Sequence, residues 1–109
     1  MAAILKNKVI KNIGVLPVDI FETDVTQRAT VIGMSITNLT TSFVYVDVLV
    51  QDDSSVSGYY LKETLLPANT SLRVVATGEK LILAPSNKLQ VRSSVSDSVD
   101  VIVSFAEIV

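Results

Sequence analysis

Carboxylates, hydroxyls and amines must supply any chemistry in this chain, because it contains no His, no Cys and no Trp. Asp52-Asp53 is the only adjacent acidic pair. Paired carboxylates serve general acid–base catalysis when both reach one substrate. Neighbours on a strand point to opposite faces, and neighbours on a loop point to water, so the pair reads as a solvated turn. Ser54 and Ser55 make the same loop rich in oxygen, yet the spaced ligands of a calcium loop are missing. A serine nucleophile needs an activating base, and without His a Ser–His–Asp triad is impossible. Lys62, Lys80 and Lys88 leave a Ser–Lys pair conceivable, but none stands beside a serine in a recognisable motif. The four glycines never form a phosphate-cradling loop. The chain is expected to be no enzyme and to use no cofactor and no metal.

Recognition is the remaining chemistry. Tyr59-Tyr60 suits a protein anchor, since tyrosine is enriched at interfaces. It also suits a sugar-stacking platform or an ordinary strand. Lys6, Lys8 and Lys11 cluster near the N-terminus. Three lysines are a weak basic footprint beside a net charge of −2, from 9 basic and 11 acidic residues; nucleic-acid binders carry a stronger one. Asn38-Leu39-Thr40 and Asn69-Thr70-Ser71 match the glycosylation acceptor pattern, which is short and recurs by chance. Met1–Gly14 is interrupted by lysines and too short in its apolar stretch for a signal peptide. No apolar run approaches the length of a membrane span. Neither a nucleic-acid partner nor a membrane is expected. Without disulfides, the leaning is toward assembly inside a cell.

These groups must be positioned by strands. The chain has 109 residues, enough for one domain, and its hydropathy comes largely from Val, Ile and Leu, which fit pleated surfaces. Arg28–Asn38 alternates and predicts a strand with Thr30, Ile32, Met34 and Ile36 facing the core, and with Gly33 as a possible bulge. Phe43–Gln51 alternates most clearly. Val44, Val46, Val48 and Val50 form one face; Phe43, Tyr45, Asp47 and Leu49 form the other, too apolar for plain solvent and suited to a neighbouring subunit. These two runs predict a hairpin with a short loop between them. Further strands are expected over 57–63, 72–75, 80–83 and 88–94, and over 99–105 with Val99, Val101, Val103 and Phe105 inward. Turn clusters recur at roughly the 8–12-residue spacing of sandwiches and barrels, and no stretch holds a helical period. The expected fold is an all-β, antiparallel, jelly-roll-like sandwich of about eight strands with essentially no helix. Residues 1–13 read as an edge strand or extended arm, and residues 14–109 as the sandwich.

Six segments in order resemble small virion proteins of tailed bacteriophages. They are Thr30–Asn38, Val44–Val48, Tyr59-Tyr60-Leu61, Leu66–Leu72, Gly78–Pro85 and Ser98–Ile108. No single segment is specific; their order carries the likeness, over roughly the last three quarters of the chain. Ser86-Asn87 replaces the Gly-Asp turn usual before the next strand, a mild departure because Asn tolerates the left-handed conformation. The resemblance implies a β-sandwich repeated symmetrically on a phage particle. It would decorate or cement the capsid, or else serve at the neck, tail or fibre base. The implied partners are further copies of itself, with a trimer favoured, and the major capsid protein or neck and tail proteins. The implied location is the virion, assembled in the host cytoplasm. The candidate interface residues are Phe43, Tyr45, Leu49, Tyr59, Tyr60, Lys6, Lys8 and Lys11. The competing expectation is a free module that binds a glycan or a host protein through the Tyr59–Tyr60 strand and the Asp52–Ser57 loop.

Overall fold

Alternating Val, Ile and Leu, cut by polar turns, produce strands wherever one side chain in two can be buried. In this computed structural model, which describes residues 3–75 and 78–108, they form nine strands and, among the described residues, no helix. The strands are β1 (Ala3–Ile13), β2 (Val18–Glu22), β3 (Arg28–Asn38), β4 (Val44–Gln51), β5 (Ser57–Leu66), β6 (Ser71–Val74), β7 (Leu81–Leu83), β8 (Lys88–Ser93) and β9 (Val99–Ile108). Every pairing is antiparallel. The first sheet runs β1-β9-β3-β6, with β7 also on β3, and the second runs β2-β8-β4-β5. Successive strands mostly change sheet, which is the topology of a jelly roll. β6 and β7 share one place in it: β6 pairs with Met34–Thr37 and β7 with Ala29–Val31. A split strand thus turns the expected eight into nine.

Valines dominate the core between the sheets. Val31, Val46, Val48, Val91, Val99, Val101 and Val103 are fully buried with Leu83 and Leu89. Phe21 of β2 meets Phe105 of β9 across the sandwich with ring centroids 4.1 Å apart. The inward faces expected for β4 and β9 are borne out, from Val44, Val46 and Val48 to Val99, Val101, Val103 and Phe105.

Two expectations are corrected. β3 does not keep one face inward. Its register on β9 shifts between Val31 and Gly33, and the extra residue of a bulge reverses the alternation. Ala29 and Val31 point inward before it, and Met34 and Ile36 after it. Ile32 is turned out at 47% exposure and Thr30 is only half-buried. The bulge sits opposite the break between β6, which ends at Val74, and β7, which starts at Leu81.

The second correction concerns β3 and β4, which are not a hairpin but lie in different sheets. Asn38 is the reason. Its side chain is buried where β3 ends. Nδ2 donates to the carbonyls of Ser42 (2.9 Å), Leu66 (3.1 Å) and Pro67 (3.1 Å). Oδ1 accepts from the Thr40 amide and the Thr40 hydroxyl, each at 2.8 Å. These bonds hold the chain in a crossover and tie it to the β5–β6 loop.

Candidate interaction surfaces

β4, β5 and β8 lie side by side, so their outward residues form one surface. Paired residues share a face, and Tyr45 pairs with Leu65, Asp47 with Arg92, and Leu49 with both Tyr59 and Gln90. Phe43 precedes β4 and lies edge-on to Tyr45, with centroids 5.6 Å apart and rings at 80°. Four of the expected interface residues, Phe43, Tyr45, Leu49 and Tyr59, therefore stand on one outer face. Phe43, Tyr45, Tyr59 and Leu65 are all exposed there.

A polar network fixes the middle of this face. Arg92 Nε donates to Asp47 Oδ2 at 2.7 Å. Arg92 Nη2 donates to the Tyr59 hydroxyl at 2.9 Å. The Glu63 amide donates to Asp47 Oδ1 at 2.6 Å. That amide is presented because β5 is irregular opposite Val46–Val48 and Glu63 adopts a φ of 47°. The hydrogen bond to Asp47 raises the Arg92 pKa further above its ordinary value, so the guanidinium is a fixed cation. Lys62 Nζ lies 5.2 Å from the Tyr59 ring centroid and Arg92 Cζ lies 5.9 Å from it. Tyr59 is thus held by two cations as well as by its hydroxyl. Val15, Tyr45, Asp47, Glu63, Arg92, Ser93 and Ser94 line a shallow depression of about 280 Å³ beside the network.

The other expected residues go elsewhere. Tyr60 turns toward the core and packs on it with Leu61. Lys6, Lys8 and Lys11 lie on β1, the edge of the first sheet, away from the tyrosines. Lys6 pairs with Glu107 at 3.1 Å, Lys8 lies 5.8 Å from the Phe21 ring centroid, and Lys11 is exposed. Among the described residues β1 pairs with β9 alone, and it is exposed along nearly its whole length, so its second edge is unpaired by any described strand.

A second outer surface escaped the sequence reading. Val9 pairs with Ile102, Leu5 with Ala106, and Gly33 with Ser104. Leu5, Val9, Ile102 and the everted Ile32 form an exposed apolar band on the first sheet. Next to it a depression of about 450 Å³ is lined by Gly33, Ser35, Ser71, Arg73, Val75 and neighbouring residues. The everted Ile32 left no periodic signal, because a bulge is invisible to alternation; the pointer to it was Gly33, expected as a possible bulge and found beside the register shift. Arg92 was equally unreadable: its partner Asp47 is 45 residues away.

These surfaces offer stacking, apolar burial and fixed hydrogen bonds. Ser94 Oγ accepts from the Tyr45 amide at 2.9 Å, and the Ser93 and Ser98 hydroxyls bond to each other in the interior. Among the described residues, no three His, Cys, Asp or Glu side chains are grouped to hold a metal ion.

The sequence matches no protein-family model and no curated protein. The fold is shared with solved viral structures. A chain of the acid-stable capsid of Helicobacter pylori bacteriophage KHP30 superposes with a TM-score of 0.57 at 10% identity, over 99% of this chain and 89% of that one. The T13 particle of infectious bursal disease virus gives a TM-score of 0.57 at 9% identity, over 96% of this chain and 30% of that one. The VP2 subviral particle of the same virus gives 0.56 at 9% identity, over 96% of this chain and 32% of that one. The chain spans about a third of the length of the bursal disease virus chains. It therefore has the fold of a single jelly-roll unit found in viral capsid structures.

Proposed function

We propose that this chain is a structural virion protein of a tailed bacteriophage, which decorates or cements the capsid through symmetric contacts between copies. The observation that carries the reading is the outer face of the second sheet. Phe43, Tyr45, Leu49, Leu65 and Tyr59 lie outside the core on a rigid sheet, where the Asp47–Arg92–Tyr59 network holds them in place. Aromatic residues and arginine on a preformed surface are what protein interfaces use. The apolar band on the first sheet adds a second face. Two distinct faces suit a closed ring of copies, a trimer being favoured, because head-to-tail contacts join different patches. Support also comes from the phage capsid chain with this fold, which this chain nearly matches in length.

The work of such a subunit is area burial, with no catalytic step. A standard interface buries roughly 800 Å² per partner, and repetition around a symmetry axis adds avidity. The subunits would assemble in the host cytoplasm and reside in the virion, with the major capsid protein as partner. A place at the neck, tail or fibre base uses the same contacts at lower copy number. The glycan-module reading is weakened by Tyr59, whose ring and hydroxyl are already engaged by Lys62 and Arg92.

Quantitative mass spectrometry of purified virions tests the reading. A copy number comparable with the major shell protein is the expected result. A small ring-like multiple moves the protein to the neck or tail. Absence from the particle refutes the virion role and favours a free binding module.

A further inference from the structure

The two sheets have four edges, and three of them are irregular. β2 is five residues long, and its register on β8 shifts between Asp19 and Phe21. β5 shifts twice against β4, and Glu63 leaves the extended conformation at a φ of 47°. The far edge of the first sheet is split between the short β6 and β7. Short, bulged or broken edges resist pairing with another strand. β1 differs. Its register on β9 runs without a shift from Ala3 to Ile10. Residues 3–9 are exposed on both faces, and among the described residues only β9 bonds their backbone. An open row of amides and carbonyls therefore lies along a regular strand.

We infer that the open edge of β1 takes an extended segment of another protein as an added strand, one in which acidic residues alternate with apolar ones. The inference stands on this edge and goes beyond the virion reading. Strand addition draws affinity from main-chain hydrogen bonds and specificity from alternate side chains. The two faces of β1 set those side chains. Lys6 pairs with the buried Phe105 and Lys8 with the buried Val103, so both lysines stand on the side toward the second sheet. Leu5 pairs with Ala106 and Val9 with Ile102 on the outer side, exposed at 76% and 57%. Carboxylates beside Lys6 and Lys8, with apolar groups beside Leu5 and Val9, complement both rows. Glu107 already engages Lys6, yet an ammonium has three donors. Lys8 and Lys11 meet no carboxylate within salt-bridge distance among the described residues.

A second copy does not fit this edge. Its three irregular edges offer no strand as long and regular as β1. An antiparallel pair with its β1 is two-fold symmetric. Opposed residues share a face, so every such register is centred on one residue. Centred on Lys6, the pair covers Ala3–Val9 and sets Lys6 against Lys6. Centred on Asn7, it covers Ile4–Ile10 and sets Lys6 against Lys8 twice. Like charges directly opposite destabilise a strand pair, and registers centred elsewhere shorten the regular part of it.

The test uses the full-length protein and peptide probes matched in length to Ala3–Ile10. One peptide alternates Val and Glu, and a second alternates Val and Lys. A third has the composition of the first, arranged as a block of Val followed by a block of Glu. Calorimetry at low ionic strength measures binding, and amide hydrogen exchange locates it. The alternating Val–Glu peptide should bind and slow exchange at those amides of Ala3–Ile10 that are not bonded to β9. The other two peptides should bind roughly tenfold or more weakly. Cross-strand charge pairs turn repulsive in the Val–Lys peptide, and the block peptide cannot match both faces at once. Lys8→Glu leaves the Lys6–Glu107 pair intact and should weaken the Val–Glu peptide about fivefold at unchanged thermal melting. Equal binding by the two Glu peptides, or binding without slowed exchange in β1, means charge attraction without strand addition and overturns the inference. No binding by the alternating Val–Glu peptide, or undiminished binding to the Lys8→Glu variant, also overturns it. Protection of these amides in the free protein that is lost on dilution assigns the edge to a second copy and overturns it as well. None of these outcomes decides the virion reading, which copy number in the particle tests separately.

Discussion

Replacing Asn38 by Ala should destabilise the protein and loosen one whole end of it. Asn38 is 1% exposed and ties the β3–β4 crossover to the β5–β6 loop. The substitution strands the buried carbonyl of Leu66 and frees the Thr40 amide and hydroxyl from Oδ1. Each hydrogen bond contributes about 1 kcal/mol net, and a stranded buried acceptor costs about 1–3 kcal/mol. Solvent can rescue the groups nearer the surface, so the expected loss is about 2–4 kcal/mol. That is a large share of the ~5–15 kcal/mol that holds a domain together. Urea unfolding reads it as a midpoint lowered by roughly 1–2 M at unchanged slope, since slopes for small domains are about 1–3 kcal/mol/M. Native-state hydrogen exchange should show faster opening at Leu39 and Asn69, whose amides bond to Ser98 and Thr40. A loss below about 0.5 kcal/mol, the range of an ordinary surface substitution, would refute the claim that this amide locks the crossover.

Four further outcomes follow from the geometry. A Cβ on Gly14 would come within 3.2 Å of Ser96 Cα and 3.3 Å of the Asp97 amide nitrogen, so Gly14→Ala should cost about 1–3 kcal/mol by overpacking; Gly33 meets nothing closer than 3.9 Å, and Gly33→Ala should be neutral or gain up to about 1 kcal/mol in thermal melts. Phe105→Ala removes the centre of the core and the partner of Phe21, and should cost about 3–5 kcal/mol in urea unfolding. Asp47→Ala breaks hydrogen bonds to Arg92 and the Glu63 amide and should cost about 2 kcal/mol, while Asp47→Asn, which keeps one acceptor, should cost less. Asp52 accepts hydrogen bonds from the Ser54 hydroxyl and from the amides of Val56 and Ser54, which lower its pKa below the usual 3.8. The support it lends to the 52–56 turn is present above that value and is lost as pH falls through the lower folded-state pKa. A carboxyl titration by NMR should place the Asp52 midpoint below the usual 3.8, and a midpoint at or above that value would count against the turn's bonding.

Within the phage reading, these tests separate folding from assembly. Gly14, Asn38 and Phe105 act on the scaffold. Asp47 and Arg92 act on the rigidity of the outer face, and Phe43 and Tyr45 on the contacts proposed for it. A substitution that leaves melting unchanged yet removes the protein from the particle identifies contact rather than stability.

Much of the fold was legible in the alternation of side chains. A period of two assigns faces, and where a strand stays regular the faces are right, as with Val44, Val46 and Val48 on β4 and Val99 to Phe105 on β9. The absence of His and Cys turned the sequence reading toward recognition, and the apolar alternate face of 43–49 marked Phe43 and Tyr45, which stand outward. Tertiary structure alone decided the neighbours. Alternation carries no information about which strand lies beside which, so β3 and β4 read as a hairpin until the buried Asn38 amide showed the crossover. It carries none about bulges, so Ile32 read as core and stands outside. The Asp47–Arg92–Tyr59 network and the apolar band of Leu5, Val9, Ile32 and Ile102 join residues far apart in sequence. Such groupings are set by sheet order and by loop-to-loop hydrogen bonds, which form only once the two sheets have packed.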